Sequence, residues 1–265
     1  MRLPTCALAL AFLAALPAAA EDLTIVSKVS RDGGPPTTAT SYLTSDHVRI
    51  VQADGREFMI DLKSGDMTVV DGRRRQYFVV TRQDLEQARA RIQQQMNNPQ
   101  MKEAQERMKN LPPDVQKKMH AAMGGLVGAV TVQKAGTTRK VAGYTCEDWT
   151  IAFGQISKTE ECLTSDLPLP AQSWERYREF AESMRNMMAA MGPMGKGISD
   201  LQEKMKDMKG FPLVMKTTAG LMGRTSTTSS EVVEIKRGPI PASAWQLPAG
   251  YTRVENPMLK GGPGM

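Results

Sequence analysis

The sequence predicts an α+β protein: a curved antiparallel β-sheet with two helical insertions packed on its concave face. Three observations predict it. The first third of the chain divides into short strand-like runs, each followed by a turn bearing Gly or Asp. The apolar pattern then changes from the alternation of a strand to the spacing of a helix, once after Thr81 and again after Ser173. Each helical stretch is followed by more strand. Neither block reads as a separate domain, because its apolar stripe needs a surface and the sheet is the surface available.

The chain begins with Met1-Arg2, an apolar run from Leu3 to Leu16, Pro17, and Ala18-Ala19-Ala20 ahead of Glu21-Asp22. A basic start, an apolar middle and small residues at the end form the layout of a secretory signal peptide. Cleavage is expected between Ala20 and Glu21. A bilayer span takes about 20 apolar residues, more than this run holds. Cys6 lies within the apolar run, too early to be a lipid-modified cysteine after a leader. The expectation is a soluble, unlipidated product, periplasmic or secreted. The expected division is a signal peptide over 1–20, one domain over 21–256 and a disordered tail over 257–265, where Gly261-Gly262-Pro263-Gly264 falls.

The first strands read as a meander. Leu23–Ser30 is followed by the Arg31–Pro36 loop, then by Thr38–Leu43 and His47–Gln52. Asp54-Gly55 is a two-residue hairpin signal. Phe58, Ile60 and Leu62 alternate with Met59 and Asp61, as in a half-buried strand. Turns at Lys63–Asp66 and Asp71-Gly72 lead into Met67–Val70 and Gln76–Val80. Thr81 and Asp84 are spaced as a capping box, and Leu85, Ala88, Ile92 and Met96 form a helical stripe. Met101–Leu111 and Asp114–Met123 continue a first helical block over about 82–124, broken at Pro99 and at Pro112-Pro113. Val127–Lys134, Tyr144–Phe153 and Lys158–Leu163 are strand-like. A second helical block over about 173–209 places Trp174, Tyr177, Ala181, Met184, Met188 and Met191 on one face. Ile198, Leu201, Met205 and Met208 extend it. Pro212–Thr217, Thr225–Ser229 and Val232–Lys236 read as closing strands.

Without the leader, Cys146 and Cys162 remain of the 3 cysteines. An even pair in an oxidising compartment points to a disulfide. Both lie equidistant from Gly154 in the turn between two strands, so they are expected to face each other across that hairpin. A redox or metal pair is the alternative; metal sites need closer spacing and more ligands, and the sequence holds no C-x-x-C.

Three segments carry a resemblance. The first is the meander around Arg49, Asp61, Asp71 and Tyr77, with strands ending in Asp-Leu and Val-Asp-Gly. The second is Val141-Ala142-Gly143-Tyr144-Thr145-Cys146. The third is Ala244-Trp245-Gln246-Leu247-Pro248-Ala249-Gly250-Tyr251. In this order they resemble a family of secreted bacterial proteins of unknown function, similar to the half-barrel superfamily of lipoprotein carriers (the LolA and LppX type). The resemblance implies an apolar cavity between sheet and helices, which in the carriers holds acyl chains. It supplies no functional residues to match. The chain departs from such carriers in its low aromatic content, 5%, and in helical blocks rich in Met and Gln.

The functional expectation is an exported, non-enzymatic binding protein that holds an acyl chain or lipid. Trp174, Tyr177, Met184, Met188 and Met191 are the expected groove residues. The 19 methionines admit three explanations: core filling, an adaptable apolar groove, or thioether ligation of Cu(I) by Met184, Met187, Met188, Met191 and Met194. A structural envelope protein without a small ligand is the remaining alternative. Catalysis is not expected: G-x-S-x-G, H-E-x-x-H and a phosphate-binding Gly-Lys loop are all absent from the sequence. His47 and His120 read as surface or interface residues. Asp61 and Asp71 could lie close enough for paired-carboxylate chemistry, but at strand ends they more often build turns. No cofactor is expected. The net charge is +6, of which Arg2 leaves with the signal. It favours an anionic membrane surface over nucleic acid as a partner. Arg73-Arg74-Arg75 is the densest basic run and reads as a solvated turn. Oligomeric state is not legible.

Overall fold

The computed structural model describes residues 22–100, 130–154, 156–167, 208–221 and 224–257, with single residues 103, 107, 110, 112, 115, 204 and 205 beside them. The expected signal peptide, tail, most of the first helical block beyond residue 100 and nearly all of the second lie outside the described residues.

The strands are β1 (Leu23–Arg31), β2 (Thr37–Leu43), β3 (His47–Val51), β4 (Arg56–Asp61), β5 (Met67–Asp71), β6 (Gln76–Val80), β7 (Val130–Val141), β8 (Tyr144–Phe153), β9 (Ser157–Thr164), β10 (Phe211–Leu221), β11 (Arg224–Arg237) and β12 (Thr252–Arg253). They form one wide, curved sheet that does not close, in the order β12-β6-β5-β4-β3-β2-β1-β11-β10-β9-β8-β7. Every pairing is antiparallel except that of β12 with β6. The sheet is two meanders, β1–β6 and β7–β11, joined by the pairing of β1 with β11. The connection from β6 to β7 therefore runs from one end of the sheet to the other, whereas that from β9 to β10 joins neighbours. One helix is described, α1 (Arg82–Met96), with Leu85 and Ala88 buried. Its capping box forms as expected: Asp84 N–H donates to Thr81 Oγ1 at 3.1 Å, and Thr81 N–H donates to Asp84 Oδ2 at 3.0 Å.

Turn chemistry explains the first meander. Asp61 Oδ1 accepts the N–H groups of Lys63 and Ser64, and Asp71 Oδ1 those of Arg73 and Arg74. Each carboxylate thus folds the chain back on itself. The β3–β4 turn starts one residue earlier than the Asp-Gly signal suggests. Gln52 N–H donates to Arg56 O, and Gly55, at φ 81°, occupies the left-handed position of a three-residue loop.

Three strand expectations are corrected. The strand expected over Val127–Lys134 is β7, which continues to Val141. It does so through a bulge that moves the register from Lys134↔Trp149 to Thr138↔Glu147, with Gly136 at φ 74°. The two strands expected at Thr225–Ser229 and Val232–Lys236 are one, β11. The polar Ser229-Ser230-Glu231 stays in the ladder because β1 and β10 pair with it on both sides. Finally, the β8–β9 register is centred on residue 155, not on Gly154. Cys162 faces Asp148, and the disulfide to Cys146 runs diagonally on one face of the hairpin.

Where the meanders meet, Leu23, Ile25, Leu213, Val232 and the disulfide form the buried core. Each fully buried aliphatic side chain there contributes about 1.5–3 kcal/mol.

Candidate functional site

Strand register places two apolar rows on one face of the first meander. Directly opposed partners run Val80–Met67–Ile60–Val48–Leu43–Leu23 across six strands. One step along, Phe78–Val69–Phe58–Ile50–Ser41–Ile25 runs parallel and reaches Ile235 on β11. In a sheet, directly opposed residues share a face, so eleven of these twelve meander positions present hydrocarbon on the same side. Val80, Ile60, Leu23 and Ile25 are buried. Phe78, Val69, Phe58 and Ile50 are only half-buried and keep apolar surface open.

The opposite face of the same strands is closed by the C-terminal segment. Arg49 is 8% exposed and meets Glu57, with Nε donating to Oε2 at 3.0 Å; Nη1 donates to the main-chain oxygens of Ala244 and Gln246. Trp245, at the end of a short 3-10 turn (Ala242–Trp245), lies 5.3 Å from the His47 ring and 6.5 Å from Tyr42, centroid to centroid. Further on, Thr252 N–H donates to Arg75 O, Val254 N–H to Tyr77 O, and Asn256 Nδ2 to the capping carboxylate of Asp84. The first and third motifs of the sequence are thus the two halves of one clasp. Their polar residues hold structure together.

A cleft of 530 Å³ lies at the β7–β9 end of the sheet. Lys134 Nζ is 2.6 Å from Glu147 Oε1 and 5.9 Å from the centroid of Trp149. Ser165, Asp166 and Lys209, at the adjoining ends of β9 and β10, complete its lining. Beside Trp149 in the β8–β9 register stands Glu161, opposite Met215 on its other flank. Burial raises its carboxyl above the usual glutamate value, and no hydrogen bond or ion pair meets it among the described residues.

The expected groove residues Trp174, Tyr177, Met184, Met188 and Met191, the expected Cu(I) set Met184, Met187, Met188, Met191 and Met194, and His120 all lie outside the described residues. Cys146 and Cys162 form the expected disulfide. Asp61 and Asp71 are not brought together. The register Arg56↔Asp71 puts them at opposite ends of the β4–β5 hairpin, about 16 Å apart at strand spacing. Consecutive hairpin turns alternate between the two ends of a sheet, so neighbouring turns cannot share a site. His47 is 44% exposed and 3.8 Å from Asp61, a surface position. Arg73, Arg74 and Arg75 are all exposed, as expected of a solvated turn. Arg75, at φ 52°, also occupies the left-handed position held by Gly65 in the preceding turn, and its guanidinium lies 6.0 Å from the Tyr251 ring. Sequence reasoning missed the Arg49–Glu57 pair, the cleft and Glu161. A charged residue in an otherwise apolar strand was the signal for Arg49 and for Glu57.

The described residues thus form a wide open, almost wholly antiparallel sheet whose first meander carries two apolar rows on one face. Residues 82–251 match the family model described as a domain of unknown function (DUF4412), and the chain belongs to that family. No curated protein matches it. Among solved structures it is similar to PNGF-II, at 10% identity and a TM-score of 0.41, over 91% of this chain and 32% of that one. It is similar to a chain of the Pseudomonas aeruginosa MucA/MucB complex, at 14% and 0.39, over 88% and 56%. A LolA superfamily protein from Nitrosomonas europaea, NE2245, matches at 6% and 0.24, over 87% and 91%. The chain spans about a third of PNGF-II and just over half of the MucA/MucB chain.

Proposed function

We propose that this is an exported, non-enzymatic binding protein that holds an apolar ligand, an acyl chain or a lipid, against the apolar face of its first meander. The observation that carries the reading is the Phe78–Val69–Phe58–Ile50 row, apolar in every member and only partly buried. Contiguous hydrocarbon left partly in water costs free energy, and such a patch suits a binding surface. In this reading the two helical insertions form the second wall, with Trp174, Tyr177, Met184, Met188 and Met191 facing the rows. Flexible methionines suit chains of varied shape. The disulfide and the leader-like start support a periplasmic or secreted location, and the basic net charge supports contact with anionic membrane surfaces.

The test uses delipidated protein and a fluorescent fatty acid. Saturable binding is expected, weakened at least about tenfold by Phe58→Asp in a variant whose circular dichroism is unchanged. A native mass free of bound lipid together with no probe binding overturns the reading.

A further inference from the structure

The cleft at the far end of the sheet has a different chemistry from the apolar rows. We propose that it is a second, independent binding site for a neutral, polyhydroxylated ligand of saccharide class, stacked on Trp149 and hydrogen-bonded by Glu147, Lys209 and the hydroxyls of Thr138 and Thr145.

Charge decides the class of ligand. Two ammonium groups, Lys134 and Lys209, and two carboxylates, Glu147 and Asp166, line the same space. An anion entering it meets two carboxylates, and a cation meets two ammoniums. An apolar ligand strips water from four charges and returns no hydrogen bonds. A sugar suits all of them, because each hydroxyl both donates and accepts, toward Lys and Glu alike. The axial C–H face of a pyranose ring is apolar and matches the face of an indole, which Trp149 supplies while half-buried. The volume of 530 Å³ lies within the range of small-molecule sites, about 300–1,000 Å³.

The cleft is also held in shape. The Cys146–Cys162 disulfide fastens the two strands that carry Glu147, Trp149 and Leu163. The β7 bulge spreads Lys134 and Thr138 along the rim, opposite Trp149 and Glu147 respectively. Ser165-Asp166 and Lys209 stand on the two stems of the β9–β10 connection, where it leaves and rejoins the sheet. Lys134 is already paired with Glu147. Lys209 makes no ion pair among the described residues and is the donor left for a ligand.

The site is tested by nuclear magnetic resonance on the ¹⁵N-labelled full chain, with the Trp149 indole assigned through Trp149→Phe. The probes are N,N′-diacetylchitobiose, maltose, inorganic phosphate and phosphocholine. At millimolar concentration, at least one of the two sugars is expected to shift the Trp149 indole and the amides of residues 134–138 and 145–149 saturably. Glu147→Gln and Lys209→Met are each expected to weaken that binding about tenfold, the loss of one charge-assisted hydrogen bond. Lys209→Met touches no described partner and keeps the test valid if Glu147→Gln disturbs the hairpin. Silence toward both sugars, equal affinity in both variants, or shifts with phosphate or phosphocholine in place of sugar overturns the proposal. The fatty-acid experiment reads the other face, so the two proposals fail separately.

Discussion

The guanidinium of Arg49 on β3 donates to the main-chain oxygens of Ala244 and Gln246, 195 and 197 residues further along the chain. Its other edge is paired with Glu57, and the two side chains are only 9% and 12% exposed. A planar, forked cation is needed for this double task, which a lysine cannot perform. The pair fastens the C-terminal segment over the face of the sheet opposite the apolar rows.

Arg49→Met leaves Glu57 as an unpaired buried carboxylate and is expected to cost about 3–5 kcal/mol in urea unfolding. Arg49→Met combined with Glu57→Leu is expected to recover much of that loss, because the stranded charge is gone. A single variant within about 0.5 kcal/mol of the parent would show that the clasp carries no stability.

Replacing Cys146 and Cys162 with Ala is expected to cost about 3 kcal/mol, the loop-closure value for a sequence separation of 16. Reductant is expected to lower the unfolding midpoint of the parent and to leave that of the variant unchanged. Because the bridge spans a diagonal, the hairpin register is expected to persist without it, visible as retained amide protection across β8 and β9.

Glu161 sets a pH dependence. Burial raises its folded-state pKa above the usual 4.5, so between those two values the folded chain holds more proton than the unfolded one. Stability from this group is full below 4.5 and is lost as pH rises through the folded value. Asp54 and Glu160 are shifted downward, chiefly by hydrogen bonds from Arg56 and Lys158, and work in the opposite direction. Both sit in exposed pairs of small net worth. Glu161→Gln is therefore expected to stabilise the protein at neutral pH and to flatten its unfolding midpoint from pH 4.5 upward. A variant whose midpoint falls at neutral pH would contradict this.

Ala142 and Gly143 join β7 to β8 in a two-residue turn, with φ at 48° and 88°. Both central positions of such a turn require positive φ, which Asn tolerates better than Ala. Ala142→Asn is expected to raise stability by about 0.5–1 kcal/mol, read as a higher thermal midpoint. An unchanged or lower midpoint would mean that packing of the Ala142 methyl on the core outweighs the backbone strain.

Local patterns were legible where the chain itself holds the cause. Asp61 and Asp71 build their turns from neighbouring amides, and Thr81 and Asp84 cap α1 reciprocally within four residues. The strands of the first meander fall where alternation and turn residues place them. In the sequence Ser230-Glu231 looks like a break within β11, and only its two partners in the sheet keep that stretch extended. Of the sites, the cysteine pair was legible from spacing and count. The cleft was not, because its residues come from β7, β8, β9 and both stems of the β9–β10 connection.

By itself, then, the sequence determined the apolar and polar alternation of each strand, the turns between them and the cysteine pair to be bridged. These depend on residues near one another in the chain, whose steric and hydrogen-bonding preferences act locally. The tertiary structure alone decided that β1 pairs with β11, that apolar residues from six strands line up in two rows, and that Arg49 reaches Ala244. Those relationships rest on register between distant segments. A shift of one residue would send every side chain to the other face, and burial of the whole face, not any local preference, selects among the registers.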